Sequence, residues 1–134
     1  MEKIDRLFAG FEPVTLSIFR IITGLLLFQF GVAKILKFPP GTMFDKVELT
    51  SLYGVAGCIE LVLGALLIVG LFTRCVAFVL SGEMAFAYFI SHAPRGFYPV
   101  LNNGNLAIMF CFACLFLACA GGGPLSVDAM RKKG

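Results

Sequence analysis

Residues 57–92 read GCIELVLGALLIVGLFTRCVAFVLSGEMAFAYFISH. Two long apolar runs meet there with only Thr73 and Arg74 as a break, and Glu60, Arg74 and Glu83 are the only full charges. Each run approaches the ~20 residues that a bilayer-spanning helix needs. The same pattern extends outward in both directions. Val14–Ile35, Leu52–Phe72, Cys75–Ser91 and Gly104–Gly121 are apolar windows, separated by "KFPPGTMFDKVE", "TR" and "HAPRGFYPVLNNG". They predict an all-α, membrane-spanning four-helix bundle forming a single domain over 1–134, with helices at about 14–36, 52–72, 75–92 and 104–121.

Composition agrees. The chain has 134 residues, 59% of them hydrophobic and 14% charged, with mean hydropathy +0.93. Soluble domains carry nearer 45–50% apolar and about 25% charged residues. A chain this short cannot hide such an excess in one core, so most of its solvent is lipid. No nucleic-acid partner is expected.

An even number of spans places both termini on one side. Lys3, Arg6, Arg74, Arg131, Lys132 and Lys133 share that side, against Lys34, Lys37, Lys46 and Arg95 opposite. The positive-inside bias predicts an inner (cell) membrane protein with cytoplasmic termini. Charges precede the first apolar run and no small-residue cleavage site follows it, so that run reads as a retained anchor. Cys58, Cys75, Cys111, Cys114 and Cys119 are odd in number and set in apolar surroundings. "CFAC" at 111–114 lies within a helix and reads as structural, and no metal site is expected.

Ionisable groups inside spans cost at least ~2.5–3.5 kcal/mol at mid-bilayer on insertion scales, so they mark candidate sites. At 1.5 Å per residue, Arg20 lies about 9–10 Å and Glu83 about 12 Å from the inner ends of their helices, with Glu60 roughly midway. Arg20, Gly24, Leu27, Gly31 and Lys34 share one helical stripe, and Tyr53, Gly57, Glu60 and Gly64 share another. Glycines beside a charge let a neighbouring helix approach, so these are packing faces. The expectation is a buried charge cluster of Arg20, Glu60 and Glu83, with Arg20 paired to one carboxylate or both. It serves either as a structural clamp or as a redox- or proton-linked site.

At the outer edge, Pro94 ends the third helix just past His92. His92, Lys34, Arg95, Tyr98, Asn102, Asn103 and Asn105 are expected to gather there. Lys34, His92, Asn105 and Tyr98 form the candidate ligand site, which would take a quinone oxygen or an anion. Interface anchoring is the competing reading for Tyr98 and Arg95, and helix-end capping for His92.

With these residues placed, the chain resembles the DoxX family of small four-helix membrane proteins. The likeness is carried in order by "RIITGLLLFQFGVAK", "GCIELVLGALLIVGLFTR", "GEMAFAYFISHAPRGFYPVLNNG" and "GGGPLSVDA". Family-like positions are Arg20, Gly24, Gly31, Lys34, Glu60, Gly64, Gly70, Thr73, Arg74, Glu83, His92, Gly104, Ser126 and Asp128. Two positions depart. Phe30 stands where many relatives carry His, and Asn105 where many carry Glu. The resemblance implies a family partly linked to oxidoreductase work. One branch of the family is a subunit of a membrane thiosulfate:quinone oxidoreductase, and another partners sulfurtransferase and superoxide-handling enzymes.

Three functions follow. The first is a subunit or accessory of a quinone-linked membrane oxidoreductase, concerned with thiosulfate and sulfur or with oxidative stress. Its rim groups would hold a quinone head. No flavin, haem or iron–sulfur motif is recognisable, so no intrinsic cofactor is expected, and electrons would arrive from a redox partner protein or a soluble reductant. The second is a non-catalytic scaffold docking a cytoplasmic enzyme through Arg74 and the basic tail. The third is a small-solute permease, which would need a homo-oligomer. The glycines and Pro124 stop the last helix, and Ser126 is placed to cap a short surface helix.

Overall fold

The computed structural model describes residues 1–133 and is all-helical. Its helices are α1 (Glu2–Gly10), α2 (Glu12–Ile35), α3 (Leu52–Val69), α4 (Thr73–Ala87), α5 (Pro99–Asn102), α6 (Asn105–Ala120) and α7 (Val127–Lys133). A π-helical turn, Tyr88–His92, and a 3₁₀ turn, Ala93–Arg95, prolong α4. Thus α2, α3 and the extended α4 have spanning lengths of 24, 18 and 23 residues. The fourth window is shorter than expected. Only 16 residues of it are helical, about 24 Å of rise, because left-handed Asn103 breaks the chain before it and Gly121, at φ 86° and ψ −173°, breaks it after.

α2 and α3 pack along their glycines. A methyl group at Gly31 would lie 2.5 Å from the Leu61 amide nitrogen, and one at Gly24 2.9 Å from that of Ile68. A methyl at Gly57 would meet Lys34 Cβ at 2.6 Å, and one at Gly64 would meet Phe28 Cα at 3.0 Å. Partners fall along α3 as positions rise along α2, so the helices run antiparallel with backbones almost touching, as small-residue interfaces allow. Gly31→Ala is expected to destabilise the bundle by about 1–3 kcal/mol through overpacking, despite alanine's better helix propensity. A thermal unfolding midpoint in detergent checks it.

α6 lies against α4, and the two helix pairs meet in a core built around Leu27, Leu67, Leu80, Met84, Phe110 and Leu117. The outward faces stay apolar: Phe78, Phe86, Phe89, Met109 and Phe112 are all more than 60% exposed. A surface like that requires a lipid solvent.

α1 precedes the four apolar windows and has no counterpart among them. Ile4, Leu7, Phe8 and Phe11 fall along one side of it, with Lys3, Asp5 and Arg6 on the other, and none of its residues is buried. Such a helix suits the headgroup boundary beside its anchoring span.

Left-handed Gly70 closes α3, with the amides of Gly70 and Leu71 both bonded back to the Leu66 carbonyl at 2.9 and 3.0 Å. Asp128, reaching from α7, then caps α4: its carboxylate accepts from the Phe72 and Thr73 amides, each at 2.8 Å. Burial alone would push this carboxyl up. The two amide donors and nearby Arg131 outweigh it and hold the group below the usual carboxylate range. The stabilisation is therefore complete above the unfolded value of about 4 and is lost as pH falls through the lower folded value. Asp128→Ala should cost about 1 kcal/mol at neutral pH. Unfolding midpoints across pH should show the gap to wild type closing in acid.

Candidate functional site

Arg20 does not join the cluster expected of it. It is 1% exposed, and its guanidinium donates to four backbone carbonyls: Leu67 at 3.0 Å, Ile68 at 3.3 Å, Leu125 at 2.8 Å and Gly122. Leu67 and Ile68 belong to the last turn of α3, whose carbonyls are short of intrahelical donors (Leu67 has only the long Gly70 amide contact, 3.2 Å) and form the negative end of the helix. Pairing with Glu60 or Glu83 is thereby replaced by capping. The arginine fork satisfies a helix end and ties the 121–126 segment beneath the bundle. Ser17 assists, donating to the Gly122 carbonyl and accepting from the Leu125 amide. Ser126 caps α7 as expected, accepting from the Ala129 amide at 3.1 Å.

The partner of Glu60 is Lys34. Nζ lies 2.9 and 3.1 Å from the two carboxylate oxygens, with both side chains buried. Lys34 was expected at the rim. The loop after α2 covers it instead, because Lys37 anchors that loop through the carbonyls of Lys34, Phe44 and Val47. Phe44 then sits with its ring centroid 5.1 Å from Lys34 Nζ, and Phe30 lies at 6.0 Å, distances at which a ring face attracts an ammonium. Glu83 on α4 adjoins Glu60, and its Oε1 is buried without a hydrogen-bond partner among the described residues. Lys34 thus pairs with one carboxyl, Glu60, while a second, Glu83, lies beside it inside the bundle.

Two chambers flank this cluster. The outer one, of about 300 Å³, is walled by Phe30, Phe44 and Phe110, reaches Lys34 and Glu60, and includes His92 and Arg95. The lateral one, of about 430 Å³, lies between α3 and α4 and contains Glu83. Lys34, Tyr53, Ala87 and Ser91 border both. The Tyr53 hydroxyl and Ser91 Oγ, 3.0 Å apart, bridge α3 to the π turn. Turns of that kind recur at functional positions in helices.

Of the rim set, Lys34 and His92 share the outer chamber, while Asn105 and Tyr98 are exposed and do not line it. His92 Nδ1 lies 3.0 Å from the Asn102 carbonyl. A carbonyl only accepts, so Nδ1 donates, and the other nitrogen of a neutral ring is left as an acceptor. Asn102 is fully buried, donates to the Tyr88 hydroxyl and the Gly96 carbonyl, and accepts from the Gly104 amide. It organises the rim, a role that one asparagine among three in the sequence did not signal. Phe44, Tyr53 and Ser91 were also missed as chamber walls. Cys111 and Cys114 carry free thiols in the α4/α6 region, with Ser81 donating to the Cys111 carbonyl.

Apolar outer faces around interior ions define a small multi-span helical membrane protein. The chain belongs to the DoxX family: residues 15–93 match that family's sequence model. An uncharacterized protein of Haemophilus influenzae is 39% identical over 127 residues, which cover 88% of this chain and 91% of that protein. No solved structure matches the chain.

Proposed function

We propose that the chain is a subunit or accessory of a quinone-linked oxidoreductase of the inner membrane, with both termini cytoplasmic. The carrying observation is the buried Lys34–Glu60 pair at the inner end of an aromatic chamber, with Glu83 beside it, one of whose buried oxygens has no partner among the described residues. Ligand sites combine apolar walls with a few convergent polar groups, and this chamber has both. In this reading Phe30, Phe44 and Phe110 hold a planar ring, Lys34 donates to a quinone oxygen, and the free ring nitrogen of His92 accepts from a hydroxyl of the quinol product. Reducing a quinone to a quinol takes two electrons and two protons. Glu60, Glu83 and Lys34 are the proton-exchanging groups at hand, and the electrons come from a redox partner protein or a reductant such as thiosulfate. A scaffold role has less support, because Arg74 is occupied with the Ala118 and Cys119 carbonyls at the end of α6.

The test is quinone reduction by the protein in native membranes and after purification, with thiosulfate as reductant. Turnover that falls at least about tenfold in Glu83→Gln, with the protein still folded, supports the reading. Absence of turnover both with native partners and alone removes the oxidoreductase claim.

A further inference from the structure

The lateral chamber differs from the rest of the bundle in what its glycine does. A methyl at Gly24, Gly31, Gly57 or Gly64 would strike a neighbouring helix, whereas one at Gly82 meets nothing within 4 Å. Gly82 therefore does not serve close packing, and its missing side chain leaves space between α3 and α4. The wall of that space is apolar (Val55, Ile59, Val79, Phe86), and its outer part continues into side chains that face lipid: Phe86 is 70% exposed and Val55 51%. The chamber also holds Glu83, whose buried Oε1 lacks a partner among the described residues, and reaches Lys34. A space that is apolar toward the bilayer and ionic at depth suits an amphiphile with a long hydrocarbon tail and an oxygen-bearing head. A water-soluble ligand would have no use for the lipid-facing wall.

From this we infer that the α3/α4 chamber is the lateral access site through which a tailed quinone reaches Lys34 and Glu83 from the bilayer, with the Tyr53–Ser91 bond as the partition from the outer chamber. The inference rests on the quinone reading above and adds the route and the tail site. Gly82 is the specificity-determining position, because its lack of a side chain admits the tail.

The experiment uses the full chain in nanodiscs and a decyl-tailed azidoquinone, photolysed with and without excess decylubiquinone, the labelled residues being located by mass spectrometry. Gly82→Leu is the blocking variant. It fills open space at a helical position, and an unfolding midpoint matching wild type verifies its fold. Gly82→Ala, with a side chain too small to fill the space, is the control. Competable labelling of Val55, Phe86 or Ile90, retained in Gly82→Ala and reduced about tenfold or more in Gly82→Leu, is the expected result. Competable labelling confined to Phe44 and Phe110, and unchanged in Gly82→Leu, overturns the lateral route while leaving the quinone reading in place. Labelling that excess decylubiquinone nowhere displaces overturns both.

Discussion

Replacing Arg20 by Gln should lower the stability of the bundle by about 3–5 kcal/mol, among the largest effects open to a single substitution. The neutral amide is shorter and cannot present the same fork to the carbonyls of Leu67, Ile68, Gly122 and Leu125. The Ile68 and Leu125 carbonyls lose this donor at about 1–3 kcal/mol each, whereas Leu67 keeps the Gly70 amide and Gly122 keeps Ser17. Arg20→Lys keeps the charge but loses the planar fork, so it should fall in between. The unfolding midpoint in mild detergent and the folded fraction on size exclusion measure both. Arg20→Lys combined with Glu60→Gln should be additive to within about 0.5 kcal/mol, as expected for groups without shared partners. Strong coupling would mean that arginine and carboxylate pair after all.

The second large effect concerns Lys34, and its sign pattern is diagnostic. Lys34→Met leaves two adjacent buried carboxyls without a counter-charge and should cost about 3–5 kcal/mol, the range for breaking a buried pair. Glu60→Gln should cost less, because Glu83 remains beside it to face the ammonium. Glu60→Gln with Glu83→Gln removes that reserve and should return to the Lys34→Met range. Lys34→Met with Glu60→Met should recover much of the loss, since apolar replacement of a whole buried pair is often near neutral. Equal costs for Lys34→Met and Glu60→Gln would contradict a three-membered cluster.

Much of the architecture was legible because lipid imposes a simple pattern. The four windows, the glycine stripes on α2 and α3, and the interior setting of Glu60 and Glu83 follow from periodicity and the cost of charge in hydrocarbon. Arg20 was read as interior, correctly, but given the wrong partners. Residue letters show side-chain charges, whereas its actual acceptors are backbone carbonyls of a helix end and a glycine turn. Lys34 was placed at the rim because depth was counted along its helix alone. The covering loop is held by Lys37 through backbone carbonyls, a tertiary closure with no periodic signal. α1 escaped notice because nine residues with dense charge lie below what a hydropathy window detects. Asn102 is expected at the outer edge, but its organising role has no signal in the sequence, because its three bonds join segments whose approach only the fold creates.

The buried lysine and its two acids are held to be the seat of a quinone head, and equilibrium binding of decylubiquinone to the chain in nanodiscs tests that most directly. The informative comparison is wild type against Lys34→Met with Glu60→Met, the double variant expected to stay folded. One saturable site in wild type, weakened about tenfold or more in the double variant, is the expected result. Equal affinity in both proteins, or uptake that never saturates, would contradict it.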